Sequence, residues 1–588
     1  MFSRTAYARV AQLVERDLAK VEAAGSSPVS RSENKRMIPK GIVLFCFQEC
    51  GTDNKQHARQ PCMLEKFSQI RYNILVNTNA KRKVDKMQDT RENKVISWLK
   101  SENFARICIL ALLGFMTFLI MMYSKQSPWR KAESWTDSSV FKYVALEMSR
   151  GGIPYVDTFD HKGPLLYIIN LVGQMLGYMR GIWLVEFCFM FGTLAAMYKT
   201  ARLFCGRTGA WVTALISSKW IFDYFQYGNF TEEYAMLPIC VATYIFLDYM
   251  LNNKVNKLRL MICGFCFAAV FLLRANMIAV WLVYCVAIFV KCLVEKAWKM
   301  LGEFVLYFLI GMSILMIPIA LWLGLNGAFD DFVQNYFVFN LTYSTEAGGR
   351  ALASAKWKAF IHFFNKEIVL YAVVVLMYLW VKGKNRLADG CYMAYVFLMF
   401  ILLCMSGMQY GHYGLTIVPA LVYPVARFIG MVEEQYKKNA NPLVLAAVMY
   451  VLVPLVLPTW VDACNNAVQV YENQENSNYT KAVRNAAKII KEHTTEEETI
   501  SVYGNWDIVY LISERLSASK YSYQFPIGTI DSAIMEEYFE NITEEQPKVI
   551  VIQENRMDDR MRSFLDTYHY TLTYNEKADN SGSQVYVK

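Results

Sequence analysis

The stretch FVLYFLIGMSILMIPIALWL, residues 304 to 323, is an apolar run of twenty residues without a charged side chain. A helix needs roughly 20 such residues to cross about 30 Å of bilayer hydrocarbon. Shorter apolar runs recur between Ile107 and Trp460, and 55% of the 588 residues are hydrophobic whereas 19% are charged. This composition excludes an ordinary soluble enzyme and predicts a mainly α-helical, multi-pass membrane bundle.

The apolar segments predict about eleven membrane spans. They lie at residues 107–123, 182–198, 209–222, 234–251, 260–274, 276–290, 304–323, 368–381, 390–405, 414–430 and 442–459. The net charge of +9 comes mostly from Lys and Arg residues in the connections between these segments. Because that pattern orients membrane helices, it does not indicate nucleic-acid binding.

Basic side chains alternate between the connections and predict an orientation. The cluster of Arg91, Lys94, Lys100 and Arg106 is assigned to the cytoplasm, where loops carry the excess of Lys and Arg. Alternation then places on the same side Lys199 with Arg202 and Arg207, Lys254 with Lys257 and Arg259, Lys291 with Lys296 and Lys299, Lys382 with Lys384 and Arg386, and Lys437 with Lys438. Counting the apolar segment Leu165–Met179 as a span would invert this agreement, so we expect an outer interfacial helix there. The N-terminus is predicted inside and the C-terminus outside.

The first hundred residues are basic and non-periodic. Residues 1–100 are predicted to be a disordered or artefactual extension. The segment Val10–Ser32, VAQLVERDLAKVEAAGSSPVSRS, resembles the conceptual translation of a transfer-RNA gene. That resemblance predicts a true start at Met37, Met63 or Met87.

Common nucleotide and metal motifs are missing from the sequence. There is no Walker A motif, no strand-coupled GxGxxG and no HExxH. Most of the fourteen cysteines lie in apolar runs, and the CxxC of Cys263 and Cys266 falls within a predicted span without a second pair. We therefore expect neither a cysteine metal site nor a disulfide framework.

The connection after the first span carries a dense group of charged side chains. Its sequence WTDSSVFKYVALEMSRGGIPYVDTFDHKGPLLYIIN, from Trp135 to Asn170, contains Asp137, Asp157, Asp160, His161 and Lys162. Charged groups beside a membrane must be solvated, paired or used in function. The carboxylate of Asp137 opens a segment of loosely helical periodicity, so it either caps a helix or, held at that helix start, takes part in catalysis.

Further candidates lie at the outer ends of later spans. Glu232 and Glu233 either serve function or complement a helix dipole. Arg274 lies between two apolar runs and needs an anionic partner, which is one of these carboxylates or a phosphate. Tyr410 and His412 are candidates for phosphate binding, although an interfacial aromatic belt also explains the tyrosine.

Taken in order, these pieces resemble the integral membrane glycosyltransferases of the GT-C superfamily, in particular bacterial proteins similar to dolichyl-phosphate-mannose-protein mannosyltransferases. The resembling pieces are Asp137, the runs GGIPYVDTFDHKGPLLY and GNFTEEY, RAN at 274–276, NGAFDDF from Asn326, and QYGHY at 409–413. Together they extend from about residue 130 to 420. The resemblance implies an inverting transfer from a polyprenyl-phosphate sugar to an outer acceptor.

The resemblance implies that the first-loop aspartate lies near the reacting centre. Because a sugar hydroxyl is a poor nucleophile, we expect the carboxylate of Asp137 to accept its proton. Glu232 or Glu233 is expected to position the acceptor, or to share an optional divalent cation, Mg²⁺ or Mn²⁺, with Asp137. Asp157, Asp160 and His161 complete the predicted first-loop site.

The resemblance also implies that outer loops bind the lipid phosphate. The candidates are Lys162, Arg274, Tyr410 and His412, of which the cations would stabilise the departing phosphate. This chain has Met408 and Gln409 where a basic residue often precedes the Tyr-x-His-Tyr piece of the family. Because of that departure, Arg274, Lys162 and His412 are the favoured candidates for binding the phosphate.

The polar region after Trp460 predicts a small α/β domain outside the membrane, which binds the acceptor or caps the cavity. Expected strands are Thr499–Tyr503, Lys548–Gln553 and Gln584–Val587, and expected helices are Asp507–Arg515 and Asp531–Glu545. The predicted organisation is thus an extension at 1–100, a GT-C-like catalytic domain at 101–460 and an extracytoplasmic domain at 461–588.

These observations favour a plasma-membrane glycosyltransferase that uses a lipid-linked donor and acts on a cell-envelope glycan, lipid or protein. The main alternative is a transporter or flippase for a lipid-linked or anionic substrate, in which charged residues would line a path through the membrane. A polyprenyl-linked polymerase or ligase and a non-catalytic scaffold are further alternatives. Charged residues concentrate at the outer ends of the spans, which favours the transferase.

Overall fold

The computed structural model describes residues 101–130, 137–345, 349–383, 385–439, 442–472, 478–553, 555–576 and 582–588. The predicted N-terminal extension, with the segment 10–32 and the proposed start codons, lies outside these residues.

Helices make up most of the described chain as far as residue 472. They are Glu102–Met121 (α1), Asp137–Ser149 (α2), Pro164–Gly177 (α3), Met179–Ala201 (α4), Arg207–Tyr224 (α5), Thr231–Asn252 (α6), Lys257–Leu273 (α7), Ala279–Val294 (α8), Trp298–Leu325 (α9), Phe329–Val333 (α10), Phe339–Thr345 (α11), Gly349–Phe364 (α12), Glu367–Lys382 (α13), Arg386–Leu403 (α14), Ile417–Asn439 (α15) and Pro442–Glu472 (α16). Short 3₁₀ turns at Ala275–Met277 and Gly411–Thr416, and a π-helical turn at Gln334–Val338, connect several of them.

Seven described helices are long and apolar enough to cross a membrane, or eight if one bent pair forms a single span. The seven match the predicted spans 107–123, 182–198, 234–251, 304–323, 390–405, 414–430 and 442–459, and the pair Leu352–Phe364 with Ile368–Lys382 includes 368–381. Helices also form at the other three predicted positions, although α7 and α8 have only 17 and 16 residues. The chain is a multi-pass membrane protein, whereas the number eleven and the orientation stay predictions.

Glycines bring two membrane helices into close contact. A Cβ added at Gly264 of α7 would lie 1.9 Å from the carbonyl oxygen of Phe308, and one at Gly311 of α9 would lie 1.9 Å from that of Met261. Small residues at helix crossings allow backbones to pack closely in membranes, where lipid supplies little hydrophobic drive for association. The two glycines thus position α7, whose end carries Arg274.

The segment predicted as an interfacial helix forms α3, which is 14 residues long. At a rise of about 1.5 Å per residue it extends about 21 Å, short of the hydrocarbon thickness. Its residues Val172, Met175 and Leu176 are exposed, whereas Leu166 and Tyr167 are buried. This one-sided burial is consistent with an interfacial helix.

The described residues from 478 to 588, which we name the C-terminal domain, fold around a four-stranded sheet. The strands are Ser501–Tyr503 (β1), Val549–Gln553 (β2), Thr571–Glu576 (β3) and Ser583–Val587 (β4), and the helices are Asn478–His493 (α17), Ile508–Ser513 (α18), Ile527–Ile530 (α19), Ser532–Glu545 (α20) and Asp559–Thr567 (α21). Strand order is β1-β2-β4-β3, in which β1 and β2 are parallel and the other pairs antiparallel. The three predicted strands and two predicted helices are present, and β3, α17, α19 and α21 are additional. Helix α16 extends past the predicted boundary at residue 460.

The C-terminal sheet region packs against α2. Tyr143 of α2 lies 4.9 Å from Tyr510, ring centroid to ring centroid, and its hydroxyl accepts a 2.8 Å hydrogen bond from the Ser517 amide. On the opposite side, Gln174 of α3 donates to the Lys142 carbonyl at 2.7 Å. Apart from its first residue, α2 is therefore mostly buried between α3 and the C-terminal domain.

Candidate functional site

A cavity of about 950 Å³ lies between the helical bundle and the C-terminal domain. Its membrane wall, meaning the lining residues before 472, includes Asp137, Asp160, His161, Lys162, Asp223, Gln226, Arg274, Tyr336, Asn340, Tyr410, His412 and Tyr413. Its C-terminal wall, meaning the lining residues after 478, includes Asn505, Tyr523, Gln553 and Arg556. The structure thus brings together seven of the ten predicted site residues, which come from four separate parts of the sequence.

Asp137 is the first residue of α2 and is exposed to the cavity. The next residue, Ser138, is fully buried. Its hydroxyl accepts hydrogen bonds from the side-chain amides of Gln126 at 2.7 Å and Asn229 at 2.9 Å. Asn229 also exchanges hydrogen bonds with Asn170 at 2.9 and 3.2 Å. This buried network holds the start of α2, so the Asp137 carboxylate is accessible while its backbone is fixed.

The turn Asp160–Gly163 is held from several sides. The Lys162 carbonyl accepts a hydrogen bond from Tyr155 at 2.8 Å, and the Lys162 backbone N–H donates to the Tyr167 hydroxyl at 3.2 Å. The His161 carbonyl accepts from Asn340 of α11 at 2.7 Å. Gly163 donates to the Leu273 carbonyl, and an added Cβ there would lie 1.9 Å from the Leu272 oxygen, so only glycine fits.

Within this turn, the side chains of His161 and Lys162 lie together, with Nε2 and Nζ 2.7 Å apart. Burial lowers the pKa of His161 well below its usual range, and the charges of Lys162 and Arg274 add to the effect. A neutral imidazole accepts a hydrogen bond from an ammonium group. His161 therefore orients Lys162 at the cavity.

Asp160 is a buried carboxylate that links the two walls. It accepts hydrogen bonds from Tyr167 at 2.8 Å and from Tyr523 of the C-terminal domain at 3.2 Å. Burial raises its pKa above the usual value, although Lys162 opposes the shift. Through these two hydrogen bonds Asp160 positions the turn.

Arg274 follows the last residue of α7 and forms an ion pair with Glu232. The second oxygen of Glu232 accepts from Thr231 at 2.8 Å, and the guanidinium lies 4.0 Å from the ring centroid of Tyr413. The side chain of Glu232 is 2% exposed and that of Arg274 is 20% exposed. The expected anionic partner of Arg274 is thus a carboxylate behind it, and part of the cation faces the cavity.

His412 is nearly parallel to two neighbouring aromatic rings. Its ring lies 4.2 Å from that of Phe230 and 5.8 Å from that of Tyr410, both nearly parallel. Its Nδ1 lies 2.9 Å from the side-chain oxygen of Gln226, which makes Nδ1 the donor. The remaining Nε2 donates to a phosphate only if the ring is protonated.

Three predicted site residues do not line the cavity. Glu232 lies directly behind Arg274. Glu233 is buried and accepts a 2.7 Å hydrogen bond from the backbone N–H of Asn229. It lies beside the buried carboxyl of Glu186. Asp157 accepts the Ile153 amide at 2.6 Å, as in a surface turn.

The C-terminal wall contains site residues that the sequence interpretation missed. Asn505 follows the end of β1, Gln553 ends β2 and Arg556 lies just beyond it. None belongs to a recognisable motif. Their position after two predicted strands was the available signal, because ligands commonly bind outside the carboxyl ends of parallel strands.

The described residues contain no group of three or more His, Cys, Asp or Glu side chains placed to hold a metal ion. Both oxygens of Glu232 already have partners, Arg274 and Thr231. Glu232 therefore does not fit the predicted role of sharing a divalent cation with Asp137 while that ion pair is intact.

Two solved structures of ArnT share this architecture. The structure of ArnT from Cupriavidus metallidurans bound to undecaprenyl phosphate matches with a TM-score of 0.54 at 13% identity, over 83% of this chain and 98% of that one. Apo ArnT matches with a TM-score of 0.52 at 14% identity and the same coverage. The oligosaccharyltransferase of Archaeoglobus fulgidus, in complex with Zn and sulfate, gives 0.47 at 12% identity, over 76% of this chain and 68% of that one. No curated protein is significantly similar in sequence.

The fold is therefore that of a multi-pass membrane protein, and it resembles the fold of ArnT. Within that class, residues 93–442, more than half of the chain, match the family described as putative competence-induced protein Ccs4 N-terminal domain. The chain belongs to that family.

Proposed function

We propose that this protein is a membrane glycosyltransferase that moves a sugar from a polyprenyl-phosphate donor to an acceptor outside the cytoplasm, in the plasma membrane. The observation that carries this proposal is one cavity in which an accessible carboxylate, Asp137, and two held cations, Lys162 and Arg274, lie at the edge of a membrane bundle. An enzyme facing outward has no nucleotide-sugar pool and needs a donor carried on lipid. The undecaprenyl phosphate bound by ArnT is a ligand of that kind.

The proposed reaction is a single displacement at the anomeric carbon. The acceptor hydroxyl oxygen forms a bond to that carbon, and its proton passes to the carboxylate of Asp137. The bond between the anomeric carbon and the phosphate oxygen breaks, and its electron pair leaves with the polyprenyl phosphate. One displacement inverts the configuration of the sugar.

The leaving phosphate gains negative charge, which Arg274 and Lys162 stabilise. Fixed charges aimed at the developing charge are effective because they need little reorganisation during the reaction. Glu232 and Tyr413 fix Arg274, and His161 fixes Lys162. Glu232 is then a positioning residue for the phosphate site.

Four other predicted site residues take smaller roles in this proposal. Tyr410 donates a hydrogen bond to the phosphate, and His412 does so when its ring is protonated. Asp160 holds the turn that carries Lys162, and Glu233 holds the loop before α6. No step requires a metal ion.

The test uses membranes containing the full chain and a panel of undecaprenyl-phosphate sugars labelled in the sugar. We expect Asp137→Asn to lower both sugar transfer and the release of undecaprenyl phosphate by about 10² to 10⁴-fold, the usual contribution of a general base. Asp566→Asn, an exposed position on α21 outside the cavity, serves as the matched control.

Transfer at the wild-type rate by Asp137→Asn would overturn the base assignment. Movement of labelled donor across vesicle membranes by the wild type, without release of undecaprenyl phosphate, would replace the transferase with the flippase alternative.

A further inference from the structure

We infer that the C-terminal wall is the acceptor subsite and that it recognises a glycan carrying a carboxylate or phosphate substituent. This inference rests on the proposed transferase function and adds the chemical class of the acceptor. Its residues are Asn505, Gln553 and Arg556, all of which line the cavity.

The topology of the sheet brings these three residues together. Strands β1 and β2 are parallel neighbours, with Tyr503 opposite Ile552. Their carboxyl ends therefore lie at the same edge, and the residues that follow them occupy the crevice where open α/β sheets usually bind ligands. Here that crevice opens into the cavity.

Close packing fixes the side chain of Gln553. The side-chain oxygen of Gln553 accepts the Asn505 backbone N–H at 3.0 Å. A Cβ added at Gly504 would lie 2.7 Å from both the Cβ and the side-chain oxygen of Gln553, so glycine permits this contact. With its oxygen engaged, Gln553 presents its amide N–H groups as donors.

Arg556 supplies the charge. Its guanidinium lies 4.5 Å from the ring centroid of Phe525, and it makes no ion pair with a carboxylate among the described residues. The cations of the membrane wall differ, because Arg274 has Glu232 and Lys162 has His161. An arginine held by a ring and facing a cavity is suited to a bidentate anion such as a carboxylate or phosphate.

The neighbouring amides favour a glycan as the carrier of that anion. Asn and Gln side chains both donate and accept hydrogen bonds, as sugar hydroxyls do. Buried Tyr523 closes this side of the cavity and is tied to Asp160 of the membrane wall. The acceptor bound here therefore lies on the C-terminal wall, whereas the proposed phosphate ligands Arg274 and Lys162 lie on the membrane wall.

The experiment measures binding and kinetics on the full chain in nanodiscs. Binding is measured to immobilised oligosaccharides that carry uronic acid or phosphate groups and to their neutral counterparts. We expect the wild type to bind a charged member, and Arg556→Ala to weaken that binding about 10- to 100-fold, as for loss of a charge-assisted hydrogen bond. Arg562→Ala, an exposed arginine on α21, should bind as the wild type does.

Undecaprenyl phosphate binding separates this inference from the proposed function. We expect Arg556→Ala to bind undecaprenyl phosphate normally and to raise the acceptor KM with little change in kcat, and Gln553→Ala to do the same more weakly. Failure of the wild type to bind any charged glycan, equal binding of neutral glycans, or unchanged binding by Arg556→Ala would overturn the acceptor class. A wild-type rate of transfer by Asp137→Asn would instead contradict the proposed mechanism and leave the glycan measurement valid.

Discussion

The two walls of the cavity hold their cations in different ways. On the membrane wall, Arg274 is paired with Glu232 and stacked on Tyr413, so its guanidinium has one fixed position. On the C-terminal wall, Arg556 contacts one ring. The difference indicates a membrane wall preorganised for one constant group, the lipid phosphate, and a C-terminal wall that completes its contacts when an acceptor binds.

Breaking the ion pair of the membrane wall should have the largest effect. Arg274→Ala leaves the buried carboxylate of Glu232 without its partner, which costs about 3–5 kcal/mol in the free energy of unfolding. It also removes a phosphate ligand. We expect a large fall in thermal stability and loss of undecaprenyl phosphate binding, measured by thermal unfolding and by native mass spectrometry.

The double variant Arg274→Met with Glu232→Gln is the matched control, since it removes both charges at once. It should recover much of the stability without recovering phosphate binding. Normal phosphate binding by the double variant would exclude Arg274 from the site.

The second-largest effect on stability should come from Asp507, a buried acid of the C-terminal domain. Burial raises the pKa of Asp507 from 3.8 to about 7, and the charges of Asp160 and Asp137 contribute. As pH rises from about 4 to 7, the unfolded chain releases this proton before the folded chain does, so stability is lost across that range. Asp507→Asn should therefore stabilise the protein by about 2–4 kcal/mol at pH 8.

At pH 4 the same substitution should change little, because the carboxyl is protonated in the folded chain. Thermal unfolding at both pH values measures the difference. Equal effects at pH 4 and pH 8 would contradict the raised pKa.

The turn that carries Lys162 offers a steric test of the membrane wall. Gly163→Ala places a Cβ against the Leu272 carbonyl and should cost about 1–3 kcal/mol through overpacking. We expect lower thermal stability together with weaker undecaprenyl phosphate binding, because Lys162 moves with the turn. Gly302→Ala, with no atom within 4 Å of an added Cβ, should be nearly neutral and is the control.

Removing the hydrogen bond between Tyr523 and Asp160, which links the two walls, should have the smallest effect on stability. Tyr523→Phe removes one hydrogen bond to Asp160 and should cost about 1 kcal/mol. Limited proteolysis of the C-terminal domain measures this loosening. Tyr436→Phe, an exposed tyrosine of α15, is the control, and equal protease resistance of both variants would show that the bond adds nothing.

Much of the helical framework and of the membrane wall was predictable from the sequence. Apolar runs mark the helices, and charge alternation assigned Asp137, Lys162, Arg274 and His412 to one side, where the structure brings them into one cavity. Local patterns of this kind report which end of a span a residue occupies. The catalytic and binding roles of these residues stay predictions.

Other features depend on contacts that sequence patterns do not encode. Glu232 and Glu233 are neighbours with the same charge, yet one pairs with Arg274 and the other lies beside Glu186, because successive residues on a helix point in different directions. The C-terminal wall depends on packing between segments more than 300 residues apart, such as Tyr143 with Tyr510. No local pattern predicts such a pairing.

The burial of α2 has a consequence for genetics. In the middle of the helix that begins with Asp137, Tyr143 contacts Tyr510 and Ser517, neither of which lines the cavity. A random-mutagenesis survey should therefore recover loss-of-function alleles in the C-terminal domain that disturb Asp137 from a distance. Second-site suppressors of such alleles should then map to the facing surface of α2.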